Sequence, residues 1–311
     1  MYLRRDELQR IARPPAKLNL YLDVFGRRGD GFHELETLMV PVRLFDSLSI
    51  SPAPLDAGAE RDAIQLNVRA RLRGEASDIA QMLPAARDNL VVRALELLRR
   101  HSGCAIGAEV ELVKRIPAAA GLGGGSSDAA AALRLANVIW RLGWSQSRLA
   151  ELAAELGSDV PFFLYGGTAV CRGRGERVEP VRDATPLHLV LVKPPVDLST
   201  SEVYQAFDKN FDASSRTRPQ IDALVSALRR GRLVDIGRLM RNSLQAAAAT
   251  LTPWIERIRS AFDEMDFLGH QLSGSGSAYF GLCRHAQHAR RLASILKTRQ
   301  LGRIYALRSC P

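Results

Sequence analysis

The sequence predicts an α+β protein in two parts, with a boundary near residues 165–190. Three observations carry this expectation. Short stretches of alternating apolar and polar residues recur through the first 70 positions, as strands with one covered face do. A glycine loop at residues 121–125 stands between a strand pattern and an alanine-rich helix. Beyond residue 187, strand and helix patterns alternate with few of the extended apolar runs that mark a parallel sheet.

At 311 residues the chain can form one large domain or two ordinary ones, and either buries a proper core. Hydrophobic residues make up 46% and charged residues 24%, a globular and not a disordered composition. The net charge of +10 suits anionic ligands such as nucleotides or nucleic acid. Much of it is arginine spread over helices, as in Arg99-Arg100 and Arg229-Arg230, so charge alone selects no partner. Four cysteines lie far apart without a Cys-x-x-Cys pair, which fits a reducing cytoplasm and argues against a zinc site or a disulfide frame. Met1 to Glu7 lack the apolar core of a signal peptide, and no apolar run approaches a membrane span. A cytoplasmic protein without a membrane partner is expected.

Residues 1–13 are polar and peripheral. In Pro15 to Val24, Leu18, Leu20, Leu22 and Val24 alternate with Lys17, Asn19, Tyr21 and Asp23, a strand pattern that puts Lys17 and Asn19 on one face. Taken alone, that face reads as solvated. Gly26 to Glu34 is a glycine-rich loop ending in Phe32 and His33. Leu35 to Val42 and Ser47 to Ser51 read as strands, and Pro52 to Arg61 as a polar excursion. Ile64, Leu66 and Val68 alternate as another strand, and Gly74 to Arg87 is loop-like. Asp88-Asn89 then caps a helix with Leu90, Val91, Ala94, Leu95 and Leu98 on its apolar face.

Glu109 to Val113 alternates like a half-buried strand. It leads to Pro117-Ala118-Ala119-Ala120-Gly121-Leu122-Gly123-Gly124-Gly125-Ser126-Ser127-Asp128. The hydroxyls and the acid stand where an N-cap belongs, and Ala129 to Leu133 open a helix expected to run to about Leu142. Strand, glycine loop and helix N-terminus together cradle phosphate, because exposed N–H groups and the helix dipole both favour an anion. A Walker A loop needs Gly-Lys-Ser/Thr, and no lysine follows Gly125. The dinucleotide fingerprint needs Gly or Ala where Ser126 stands, and an acid about twenty residues on, where Arg141 to Trp144 lie. A flexible linker is the bland alternative, but linkers are not usually framed by a strand and an alanine-rich helix.

Ser145 caps a further helix that stops at Gly157. Ser158-Asp159-Val160-Pro161-Phe162 follows, and Asp159 alone reads as a turn or cap aspartate. Ala169 to Cys171 and Leu187 to Val192 read as strands. Ser199 to Glu202 cap a helix bearing Tyr204 and Phe207, and residues 208–220 form a polar loop. Helices are expected at Ile221 to Arg229, Leu233 to Met240 and Trp254 to Met265. A second Gly/Ser turn, Leu272 to Gly281, is either a plain loop or a site lining. Ala289, Leu292, Ile295 and Leu296 mark a last helix, and Ile304, Ala306 and Leu307 a last strand. His285-x-x-His288 lies among Arg284, Arg290 and Arg291 and reads as a solvated helical face.

Pro15 to Leu20, the loop Pro117 to Ala130 and Leu272 to Gly276, in that order, resemble the GHMP small-molecule kinases, which include galactokinase, homoserine kinase and mevalonate kinase. With Gly26 to His33 and Gly157 to Phe162 added, the chain resembles more narrowly the 4-diphosphocytidyl-2-C-methyl-D-erythritol kinases. The match spans most of residues 14–282. The resemblance implies two GHMP kinase domains, expected here at 1–175 and 176–311. The first is ribosomal protein S5 domain 2-like and the second ferredoxin-like, with ATP and substrate in a cleft between them. It implies transfer of the γ-phosphoryl group of ATP to the 2-hydroxyl of the methylerythritol unit, in the non-mevalonate route to isoprenoid precursors.

By the same resemblance Asp159 is the general base. Lys17 is its partner, supplying the charge that the loop lacks. Pro117 to Ser127 hold the nucleotide phosphates, with Mg²⁺ accompanying ATP and no protein ligand to it assigned. Asn89, Leu90 and Lys114 are placed near the adenine. Asn19 and Thr200 position the substrate, Phe32 and Tyr204 sandwich its cytosine, and His33 reads the base edge. The family commonly has tyrosine where Phe32 stands, so stacking survives and a hydroxyl contact is lost. Residues 52–61 and 74–87 are longer than usual. A monomer or homodimer with no nucleic-acid partner is expected. Another GHMP kinase, or a non-catalytic nucleotide- or RNA-binding protein, is the alternative reading.

Overall fold

A computed structural model describes residues 4–5, 10–53, 64–70, 88–209 and 220–310. Most of the excursions at 52–61, 74–87 and 208–220 lies outside the described residues. The strands are β1 (Arg4–Arg5), β2 (Arg10–Ala12), β3 (Pro15–Arg27), β4 (His33–Phe45), β5 (Ser47–Ala53), β6 (Ile64–Ala70), β7 (Gly107–Lys114), β8 (Ala169–Gly173), β9 (Arg177–Pro180), β10 (His188–Lys193), β11 (Arg241–Asn242), β12 (Gly269–Leu272), β13 (Tyr279–Cys283) and β14 (Arg303–Arg308). The helices are α1 (Leu90–Ser102), α2 (Gly124–Ile139), α3 (Gln146–Leu156), α4 (Val160–Tyr165), α5 (Thr200–Lys209), α6 (Ile221–Arg229), α7 (Leu233–Leu239), α8 (Gln245–Leu251), α9 (Pro253–Asp263) and α10 (Ala286–Lys297).

The chain folds as two compact units. The first comprises Met1–Ala16, Leu44–Ala118 and Gly123–Gly166. Its sheet has the order β1-β2-β5-β7-β6. In β7, Ala108, Val110, Leu112 and Lys114 are buried while Glu109 and Glu111 are exposed, the alternation of a strand with one covered face. α1 starts at its expected cap, where Asn89 Oδ1 accepts from the Val91 amide at 2.9 Å. α2 starts earlier than the cap residues suggest. Gly123, in the left-handed region at φ 68°, is the N-cap, with no side-chain capping bond. Ser126, Ser127 and Asp128 therefore lie inside the helix, which ends at Ile139 and not near Leu142. Its alanines at 129–132 are all buried, which small side chains allow.

The second unit comprises Lys17–Arg43, Ala119–Leu122 and Gly167–Pro311. One sheet has the order β11-β3-β4-β8-β9. The other, β12-β13-β10-β14, is antiparallel throughout. That strand order is the ferredoxin-like βαββαβ arrangement expected for the second part. Its core gathers Val190, Val192, Val203, Phe262, Tyr279 and Leu292.

Two further expectations change, and one helix was not foreseen. The polar face of β3 is not solvated: Lys17, Asn19, Tyr21 and Asp23 are all buried, and the turn at Gly274 lies against Lys17 and Asn19. α8, a run of alanines, had no apolar periodicity to reveal it. His288 does not sit on a solvated face either; it is buried, accepts from the Arg284 amide and pairs with Asp266 at 3.1 Å.

Candidate functional site

In the first unit, β7 carries Lys114 to the start of α2. Its ammonium donates to Asp46 and, at 2.6 Å, to Asp128 Oδ2, and all three groups are buried. Asp46 also accepts from the amides of Arg115 and, at 2.9 Å, Ile116. The triad thus ties the chain entering the glycine loop to the helix leaving it. One ammonium cannot balance two buried carboxylates. Burial pushes the Asp128 carboxyl up to about 7, with Asp46 adding to the rise and Lys114 opposing it. Despite the cost of burial, Lys114 is held above its ordinary value by Asp128 and Asp46.

A Cβ on Gly124 would stand 3.3 Å from Lys114 Nζ, and one on Gly125 3.4 Å from Leu90 Cδ1. The start of α1 and the end of β7 therefore both seat the loop. Lys114 and Asn89 are engaged in this scaffold, Asn89 as the α1 cap. The first-turn N–H groups of α2 have no acceptor within the helix, and Gly125 is exposed. Ser127 Oγ and Asp128 Oδ1 are buried without a hydrogen-bond partner among the described residues. Asp159 is half-buried at the N-cap of α4, and its side chain makes no capping bond there. Buried Val160 to Leu164 anchor it.

In the second unit, Lys17 Nζ donates to Asn19 Oδ1 at 2.7 Å. Asn19 Nδ2 donates to Thr37 Oγ1 at 2.8 Å, and Thr37 Oγ1 to the Tyr21 carbonyl at 2.6 Å. The Lys17 amide donates to the Leu122 carbonyl at 2.9 Å, fastening β3 to the loop segment Ala119–Leu122. That segment rests on the second Gly/Ser turn, which is a lining and not a plain loop. Ser273 Oγ donates to the Gly121 carbonyl at 3.1 Å and the Ala278 amide to the Ala120 carbonyl at 3.2 Å. A Cβ on Gly274 would stand 3.2 Å from Lys17 Nζ. Asn242 holds the turn from behind, donating to the carbonyls of Leu272 and Gly274 at 2.9 and 2.8 Å. Thr37 and Asn242 are not among the residues that the sequence marks. Ser273 is, by its place in a Gly/Ser turn.

Also in the second unit, the rings of His33 and Tyr204 lie 4.6 Å apart, and His33 Nε2 meets Asp208 Oδ1 at 2.7 Å. Phe32 is 47% exposed, with the Arg174 guanidinium 4.8 Å from its ring centroid. Tyr204 thus faces His33, while Phe32 offers its surface to solvent and Arg174. Thr200 opens α5 and shares a 2.9 Å hydrogen bond with Ser275.

Two family descriptions match the chain, GHMP kinases N terminal domain over residues 89–167 and GHMP kinases C terminal over 224–301. The 4-diphosphocytidyl-2-C-methyl-D-erythritol kinase of Pelotomaculum thermopropionicum is 44% identical over 279 residues, 90% of this chain and 91% of its own. The chain belongs to the 4-diphosphocytidyl-2-C-methyl-D-erythritol kinase family of GHMP kinases. A crystal structure of a 4-(cytidine 5'-diphospho)-2C-methyl-D-erythritol kinase superposes with a TM-score of 0.77 at 35% identity, covering 97% of this chain and 99% of that one. Homoserine kinase from Cytophaga hutchinsonii superposes at 0.75 with 18% identity, covering 100% and 97%, which shows the shared fold alone.

As a GHMP kinase the chain uses ATP. The α2 N-terminus fits that use, with the exposed Gly125 in its first turn. Among the described residues no three His, Cys, Asp or Glu side chains gather to hold a metal ion. No helix among them is long and apolar enough to cross a membrane.

Proposed function

We propose that this chain transfers the γ-phosphoryl group of ATP to the 2-hydroxyl of 4-diphosphocytidyl-2-C-methyl-D-erythritol, giving its 2-phosphate, a step of the non-mevalonate route to isoprenoid precursors. The 44% identity to a kinase of that name along nine-tenths of both chains carries the reading.

Phosphoryl transfer depends on position and charge more than on covalent chemistry. In this reading the amides between Gly121 and Ser127 hold the phosphates at the positive end of α2. Mg²⁺ arriving with the nucleotide neutralises phosphate charge. Pro117 to Ala120 shape the entry to the loop. Asn89 and Lys114 act on the nucleotide side by seating it. Asp159 takes the proton of the accepting hydroxyl, and Lys17 stabilises the negative charge that develops there. Asn19 fixes the Lys17 ammonium and positions substrate. Phe32 and Tyr204 stack on cytosine, His33 reads its edge, and Thr200 supports the substrate from α5. The enzyme works in the cytoplasm as a monomer or homodimer, without a nucleic-acid or membrane partner.

Asp159→Asn and Lys17→Met test the roles. Turnover should fall about 10²–10⁴-fold while ATP still binds. Near-normal turnover in Asp159→Asn would remove the base assignment. Faster phosphorylation of mevalonate or homoserine than of the cytidine substrate would overturn the substrate assignment.

A further inference from the structure

One face of α5 is built around His33. Val203 is buried in the core of the second unit and Phe207 packs against that core, so that side of the helix is fixed. A step around the helix, Tyr204 and Asp208 stand one turn apart and meet the same imidazole. Tyr204 covers the ring face at 4.6 Å, and Asp208 Oδ1 lies 2.7 Å from Nε2. Only 10% of the His33 side chain is exposed. Among the described residues the ring's hydrogen bond goes to Asp208.

A carboxylate accepts and does not donate, so the proton of a neutral His33 must sit on Nε2. Nδ1 is then a bare acceptor. Cytosine presents an amino group at the edge where uracil presents a carbonyl oxygen. A bare nitrogen pairs with the first and repels the second. We infer that Asp208 is a positioning residue that fixes the tautomer of His33 and thereby makes the site select a cytidine over a uridine diphosphate substrate. The inference rests on the proposed contact of His33 with the base. It adds a residue that touches neither substrate nor phosphate.

The test uses the full chain labelled with ¹⁵N-histidine, with His33 assigned from the signal lost in His33→Gln. In its neutral form, His33 of the wild type should show a protonated Nε2 and a bare Nδ1. Asp208→Ala should show a mixture of tautomers. In parallel, kcat/KM is measured for the cytidine substrate and its uridine counterpart. Asp208→Ala should lower the cytidine preference about fivefold to tenfold through KM, with kcat nearly unchanged, the scale of one lost neutral hydrogen bond. Asp208 lies near the exposed end of α5, and a thermal melt checks that the fold is kept. If His33→Gln keeps the full preference, the contact of His33 with the base is wrong. If His33→Gln loses it while Asp208→Ala keeps it, the inference fails and the contact stands. A wild-type imidazolium, or a proton on Nδ1, also overturns it.

Discussion

Gly121 lies so close to the backbone of Ser273 that a Cβ there would fall well inside van der Waals contact with the Ser273 carbonyl, and only 3.1 Å from the Gly276 amide. Gly121 also has a φ of 71°, where side chains other than glycine's are strained. Neither obstacle is a movable side chain. Gly121→Ala should therefore raise KM for ATP about tenfold or more and lower the melting temperature. Gly31→Ala is the control. Its φ is 85° but nothing lies within 4 Å of the added carbon. It should cost about 1–2 kcal/mol in backbone strain and leave KM for ATP unchanged. Steady-state kinetics and thermal melts of the two variants check the contrast.

Thr37 is the far anchor of the chain that begins at Lys17. Its hydroxyl accepts from Asn19 and donates to the Tyr21 carbonyl. Thr37→Val keeps the shape and removes both bonds, leaving buried polar groups unmatched. Stability should fall by about 1–3 kcal/mol in urea denaturation. Turnover should fall as well, with KM for ATP little changed, because Asn19 no longer holds the Lys17 ammonium in place.

Asp128 gives stability a pH dependence of unusual sign for a carboxylate. Its folded value of about 7 lies above that of an unfolded aspartate, about 3.9. Between those values the native state binds more protons, so this group's contribution is present below pH 4 and is lost as pH rises toward 7. The loss is at most about 1.4 kcal/mol per pH unit. Asp128→Asn removes the titration. The stability of this variant relative to wild type should rise from pH 5 to pH 8, measured by urea unfolding at each pH. A constant difference contradicts the account.

The four cysteines divide into two buried and two partly exposed. Burial pushes the Cys283 thiol up to about 12 and raises Cys310 as well. A thiolate reagent should modify Cys104 first and Cys310 more slowly, and reach Cys171 and Cys283 only on unfolding. Mass spectrometry of timed, digested samples reads the order directly.

Local patterns revealed most of the elements, and tertiary pairing explains what they missed. Alternation in Pro15 to Val24 identified β3, yet the same alternation suggested a wet polar face. Nothing local says that β11 will pair beside Tyr21, or that Gln271 will donate to the carbonyls of Asn19 and Leu20. The glycine loop was legible because its strand and helix are contiguous with it. Its capping was misread because Ser126 to Asp128 look like an N-cap, whereas the left-handed Gly123 turns the chain first. The Asp46–Lys114–Asp128 triad joins residues far apart in sequence and left no local trace. Asp208 fell at the edge of a stretch read as loop, so its meeting with His33 was invisible.

Neither unit is an unbroken length of chain, and synthesis proceeds from one end. The first unit has all its segments once Gly166 is made. The second begins with β3 and β4, among the first strands to emerge, but their neighbour β11 and the core residues from Val190 to Leu301 come far later. β3 and β4 must therefore wait, the outer edge of β3 open until β11 is translated. Such a wait exposes them to wrong pairing. Production of this kinase in a foreign host should depend on chaperone supply and translation speed more than its finished stability suggests.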